Sequence, residues 1–429
     1  MERLMQYVWQ HRLWLQSDMH TVDGRRVQVI DPGLLNTDAG PDFFNAKISI
    51  DGRLWAGNVE IHVKASDWFR HGHDRDDAYE SVILHVVDRD DAVVRRHDGE
   101  VIPQLRMPCA EDLNIHYTRL LSSACADLPC AAHISGMPQV QLCSWITSLA
   151  YERLYEKTDR IDQLLQRFAG DWEQACYITL ARCLGFGKNN DAFERLALSV
   201  PLAFVRKHAD NPQAVEALLF GQAGFLEGTL PDEYSRGLKR EYDFLCTKFG
   251  LRRPESLGWK MARMRPATFP MRRIALLAAL LGDDGFRMLQ RIVNITDIDS
   301  ACRLFMPELS NYWRTRYNFG TATQTALASM SRSSALIVVI NVVVPLMLAY
   351  GNARSDTSLT DRAVELLQSI PAEHNSITDM FAAAGITVRD AFTSQALIQL
   401  RRQYCEQRKC LYCRIGHRML STAAIRRNQ

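Results

Sequence analysis

No apolar run in this chain clearly has the length to cross a bilayer. The nearest candidate, 335–350 (ALIVVINVVVPLMLAY), carries no charge but is interrupted by Asn341 and Pro345. It also falls short of the roughly 20 apolar residues that a spanning helix needs. The expectation is a buried core helix that kinks or breaks at Pro345, where a backbone N–H is missing, and no membrane partner. A secretory leader is not evident either, because Glu2, Arg3, Gln6, His11 and Arg12 interrupt the first apolar positions. A cytoplasmic location is therefore expected. Excess charge of one sign is lacking: 51 Lys and Arg stand against 49 Asp and Glu, a formal net charge of +2. No global field then compels a nucleic-acid or membrane partner, and any such binding has to come from local patches. No repeat of fixed period argues for a solenoid. What is present is an apolar fraction of 47% over 429 residues, enough for two or three domains with sizeable cores.

The most chemically suggestive stretch is 40–64, GPDFFNAKISIDGRLWAGNVEIHVK. Asp51-Gly52 is a strong two-residue hairpin turn between two runs rich in β-branched and apolar residues, 45–50 and 54–64. In the second run Val59, Ile61 and Val63 alternate with Glu60, His62 and Lys64. Side chains alternate sides along a strand, so an acid, an imidazole and an amine share one face. Asp42 precedes the first strand and can lie beside Glu60 across the pair. Two carboxylates with phosphate oxygens and waters make an octahedral Mg²⁺ site, and a neutral His62 joining them favours Mn²⁺. The same alternation also fits the solvated face of any half-buried strand. The loop that follows concentrates Asp67, His71, His73, Asp76 and Asp77, and His71, His73 and Asp77 form a further candidate site.

Pro41-Asp42, seventeen residues, then Glu60-Ile61-His62 resembles the PD-(D/E)XK pattern of the restriction-endonuclease-like nucleases. That resemblance covers about the first 110 residues and implies a core of a helix, a three-stranded meander, a helix and a further strand. It also implies Asp42 and Glu60 as ligands of Mg or Mn, and DNA or RNA as substrate. The chain departs from the pattern at the family's lysine, where it has His62, with Lys64 one pleat further on. Either side chain could supply the cationic role, or the site could be inactive. The chain as a whole resembles an uncharacterised bacterial family of unknown function.

Taken in order, 2–16 reads as a helix that could turn Glu2 and Gln6 either to the metal or to solvent. Arg26–Asp31 reads as a strand, 81–87 as a strand buried on both faces with His85 as a core residue, and 100–107 as an edge strand marked by Pro103. From about 116 to 137 the pattern loosens into a linker, with Pro129, Gly136 and Pro138. Beyond it apolar residues recur at helical spacing in 140–168, 171–185, 191–207, 212–225, 232–249, 271–294, 334–350, 360–370 and 390–404. The expected organisation is α+β: a restriction-endonuclease-like mixed sheet with a flanking helix in 1–115, a linker, and an all-helical domain in 138–429.

Two basic clusters fit phosphate. Arg263, Arg265, Arg272 and Arg273 are interleaved with Trp259 and Phe269, and Arg314 and Arg316 follow in a similar aromatic setting. The tail YCEQRKCLYCRIGHR carries Arg414 and Arg418 around Cys405, Cys410, Cys413 and His417, spaced four, two and three residues apart. Three thiolates and an imidazole can close a tetrahedral Zn²⁺ site. The cysteine spacing equally matches an iron–sulfur run whose fourth cysteine is remote, and reduced cysteines without metal are the third reading. The function expected is metal-dependent hydrolysis of nucleic-acid phosphodiesters. The rival is a non-catalytic nucleic-acid-binding or scaffold protein on a degenerate nuclease fold.

Overall fold

The computed structural model describes residues 1–14, 18–36, 38–109, 111–122, 128–252, 256–264, 268–282 and 286–425. The protein is mixed α+β and divides into two compact units. The first comprises 1–145, 379–387 and 400–429, and the second 146–378 and 388–399.

The first unit is built on a mixed sheet of β1 (Met19–His20), β2 (Arg26–Asp31), β3 (Leu34–Leu35), β4 (Phe43–Ile50), β5 (Arg53–Lys64), β6 (Val82–Arg89) and β7 (Gln104–Arg106). The strand order is β1-β2-β4-β5-β6-β7, with β3 paired to β4. Strands β2, β4 and β5 form an antiparallel meander. Asp51 and Gly52 turn its second hairpin with φ of 49° and 81°, the left-handed pair that a two-residue turn matching strand twist requires. Strand β6 then runs parallel to β5, and β7 parallel to β6. A parallel neighbour needs a crossover. Here it is compact: the short helix Asp67–Arg70 and 3₁₀ turns at His73–Arg75 and Asp77–Tyr79. As expected, 82–87 is buried throughout, and β7 sits at the end of the strand order.

The N-terminal helix is Glu2–Gln10, shorter than 2–16. Arg12 takes a left-handed φ of 54°, and the Leu13 N–H closes back on the Val8 carbonyl at 2.9 Å, a helix-ending motif. Leu4, Met5, Val8 and Trp9 enter one core with Phe43, Ile48, Val59 and Ile61 of the sheet and Leu411, Met419 and Leu420 of the tail. The Trp9 indole donates to the Pro32 carbonyl at 2.9 Å. Part of the linker expected from 116 to 137 is instead helix. Glu111–Ser122 buries Leu113 and Leu120 in this core, and Ala131–Ile134 is a short helix. The tail, expected at the end of the helical domain, belongs to the first unit.

The second unit is helical among its described residues. Helix starts follow side-chain caps: Asp171 bonds the Gln174 N–H, Asn211 that of Ala214, and Asp232 forms a capping box with Ser235. The helix expected over 191–207 is split into Asn190–Ser199 and Leu202–Arg206 at Pro201. The apolar run 335–350 is a buried core helix that does not break. A π turn at Val339–Val343 directly precedes Val344–Arg354, and this widened turn accommodates Pro345 within the continuous helix. The Lys157 ammonium donates to the Ile340 carbonyl at 3.3 Å. By length and composition Arg332–Arg354 could cross a membrane, but 72% of its most apolar window is buried.

Candidate metal centre

The turn before β4 and the start of the exchange between β4 and β5 bring Asp42 and Glu60 together, as expected. The Asp42 backbone N–H donates to Glu60 Oε2 at 2.9 Å, and the Ile61 N–H donates to Asp42 Oδ2 at 3.0 Å. A β-bulge between Phe43 and Ala46, with Asn45 at φ 55°, shifts the register here, a device that re-aims side chains. From the N-terminal helix, Gln6 Nε2 donates to Asp42 Oδ1 at 2.8 Å. Burial foremost, then the Glu60 charge, hold the Asp42 carboxyl well above the usual carboxylate range, and Glu2 adds to this. Burial likewise raises Glu60.

The crossover supplies imidazoles. His62 Nε2 lies 3.1 Å from His71 Nδ1 and 3.5 Å from Glu60 Oε1, and His73 Nε2 lies 3.4 Å from the same Glu60 oxygen. Among the described residues, His62, His71 and His73 form the one group of three or more His, Cys, Asp or Glu whose ligand atoms all lie within 4.8 Å of one another. Bonds of about 2.1 Å give polyhedron edges of about 3.4 Å (tetrahedral) or about 3.0 Å (octahedral). The His62–His71 approach, which also suits a hydrogen bond, and the two contacts of Glu60 Oε1 are of that size. Burial, with His85 next, pushes His62 down to about 2, so it is a neutral imidazole with one free lone pair, as metal ligation requires. With Nε2 turned to a metal, its Nδ1–H is donated to His85 Nε2, 2.9 Å away. Burial likewise pushes His85 down to about 3. Trp68 and Tyr79 wall the group: His73 stacks on Tyr79 at 3.8 Å, and Trp68 meets His73 and His85 edge-on or tilted. His71 is exposed, so the centre opens to solvent on that side.

Lys64 does not join them. It is exposed at the end of β5, and its charge acts on Asp91. Asp77 is exposed in a 3₁₀ turn; burial lowers His73, against the charges of Asp42, Asp76, Glu2 and Asp74, and Asp77 is not among them. His85, read from the sequence as a core residue, is the support of His62.

Residues 2–376 match the profile of a family described as "Protein of unknown function (DUF2851)". The chain belongs to that family. No curated protein and no solved structure matches. In this DUF2851 chain the matched span contains Asp42, Glu60 and the histidines, and ends ahead of the tail cysteines.

The basic cluster of the second unit is corrected by burial. Arg272 is 2% exposed, and its guanidinium donates to the carbonyls of Trp313, Arg316, Leu327 and Ala328. Arg273 is 3% exposed and lies over the Phe186 ring at 4.4 Å. Both are buried away from the surface, and Arg272 ties the loop carbonyls of 313–328 to the core. Arg263 is exposed, and Arg265 lies outside the described residues. Arg414 and Arg418 are exposed on the tail helix, Arg414 over Trp145 and bonded to Ser144 Oγ at 2.9 Å. His417 is turned to the N-terminal helix, with Nδ1 2.7 Å from the Tyr7 hydroxyl and the ring 4.7 Å from that of His11.

Proposed function

We propose that the first unit is a hydrolase that cleaves phosphodiester bonds of DNA or RNA with a divalent metal held by Glu60, His62, His71 and His73. The grouping of the His62, His71 and His73 ligand atoms within 4.8 Å of one another, with Glu60 Oε1 close to His62 and His73, carries the reading. Imidazoles suit Mn²⁺ or Zn²⁺ better than Mg²⁺. A divalent ion there would lower the pKa of a bound water and polarise a phosphoryl oxygen. Asp42, raised towards neutrality beside Glu60, is the candidate general base for that water. With Lys64 turned away, no lysine is assigned a role.

Three observations favour a nucleic-acid phosphodiester. The PD…ExH pattern falls on the turn into β4 and on β5, where the nuclease resemblance implies its residues. The order of helix, antiparallel meander, short helical crossover and parallel strand agrees with the implied core. A cleft of about 320 Å³ beside Gln6 is lined by Arg3, His11, Tyr412, Arg414 and His417, cationic and aromatic groups suited to a sugar–phosphate chain.

The test is incubation of the protein with single- and double-stranded DNA and RNA and Mn²⁺, Zn²⁺ or Mg²⁺. Asp42→Asn, Glu60→Gln and His62→Ala are each expected to cut at least about 10²-fold more slowly, and Lys64→Ala to cut normally. Wild type that binds these substrates yet cuts none, or cutting that survives both carboxylate changes, replaces this reading with the non-catalytic nucleic-acid-binding one.

A further inference from the structure

We infer that Cys130, Cys405, Cys410 and Cys413 together hold an iron–sulfur cluster, with Cys130 as the remote fourth ligand. The three tail cysteines lie within a few residues of one another, and the fold brings Cys130 to them. Cys130 directly precedes the short helix Ala131–Ile134, which packs on the tail helix Arg414–Ile425. Cys130 then faces Cys413 and Cys410, while Cys405 faces Cys413, Cys130 and Cys410. Cys413 is buried and the other three are half-buried, and none is in a disulfide. Cys130 and Cys410 both pack against the core of the first unit.

The surroundings are arranged for thiolate. The backbone N–H groups of Ile415 and Gly416, in the first turn of the tail helix, hydrogen-bond to Cys413, and a helix N-terminus favours negative charge. Arg401 beside Cys405 and Arg408 beside Cys410 add positive charge. A Cβ at Gly416 would stand 2.1 Å from the Cys410 carbonyl oxygen. Only glycine there lets the Cys410–Tyr412 turn sit on the helix.

Spacing separates iron–sulfur from zinc. Zinc–sulfur bonds of about 2.3 Å place tetrahedral thiolates about 3.8 Å apart. Since His62, His71 and His73 are the one group within 4.8 Å among the described residues, no three of these sulfurs come that close. A cluster of several irons holds its cysteines further apart, and the four- and two-residue spacing matches such sites, with the remote cysteine here upstream of the run. The His417 ring packs on the N-terminal helix through Tyr7 and His11, and Cys130 takes the fourth place in this proposal.

The experiment is anaerobic purification of the full chain with metal and sulfide analysis. About two or four irons per chain with matching sulfide are expected, with a brown absorption that dithionite bleaches. Cys130→Ser is expected to lose the iron, while His417→Ala and Cys246→Ser keep it. If Cys130→Ser fails to fold, the wild-type iron and sulfide content and His417→Ala decide. Zinc in place of iron, no metal after anaerobic reconstitution, iron retained in folded Cys130→Ser, or iron lost in folded His417→Ala each overturns the proposal. None of these readouts depends on cleavage activity.

Discussion

His62 is engaged at both ring nitrogens, by His85 on one side and by His71 and Glu60 on the other. A ligand oriented from behind binds metal more tightly than one free to rotate. His85→Phe is therefore expected to weaken Mn²⁺ or Zn²⁺ binding about 10–100-fold with the fold retained, read by titration calorimetry alongside circular dichroism. Asp42, Glu60 and His62 were legible in the sequence because a tight hairpin fixes which residues face one another. Lys64 was not, because alternation gives the face of a side chain and not whether the strand's end is covered. Cys130 was hidden for a different reason: the chain between it and the tail carries no signal that the two meet. Burial also decided against Arg272 and Arg273, which composition alone cannot distinguish from a phosphate patch. In the second unit, burial foremost pushes Glu216 up to about 6 from an ordinary 4.5, against hydrogen bonds from Tyr234, Trp313 and Ser310. A raised folded-state value favours the protonated form. The stability from Glu216 is therefore complete below about pH 4.5 and is lost as pH rises through 6, by on the order of 2 kcal/mol. Denaturant titrations from pH 4.5 to 7.5 are expected to show that decline in wild type and a flatter profile in Glu216→Gln.

At the scale of elements, Asp232 opens the helix Glu233–Phe249 and also accepts from the Tyr312 hydroxyl at 2.6 Å and the Gly320 N–H at 3.2 Å. One carboxylate thus caps a helix and pins a loop. Asp232→Ala is expected to lower stability by about 2 kcal/mol, the upper end for a lost cap, read as a shift in urea midpoint. Caps of this kind made the helical unit readable, since Asp or Asn followed by a periodic apolar run is a local signal. The π turn ahead of Pro345 was not readable. A proline inside an apolar helix predicts a kink, whereas an extra residue in the preceding turn satisfies the same constraint with the helix continuous. At the tail, Gly416→Ala is expected to dislodge the Cys410–Tyr412 turn from its helix. Hydrogen exchange of 410–420 should then accelerate strongly while that of Glu233–Phe249 stays unchanged.

For the whole molecule, the burial of Arg332–Arg354 sets the expectation that the chain is recovered in the aqueous fraction without detergent, as fractionation of expressed protein will show. Both ends of the sequence contribute to one core: Leu4, Val8 and Trp9 from the first residues, Leu411, Met419 and Leu420 from the last. The second unit is encoded almost entirely between them, from 146 to 399. On a ribosome adding about 5–20 residues per second, the first strands wait on the order of tens of seconds for their final partners. During that interval the helical unit can fold, while the apolar side of the N-terminal sheet remains a substrate for chaperones and proteases. Nascent chains arrested beyond 378 but before 411 should therefore be nicked by protease within 1–145, and chains arrested well past 420 should resist.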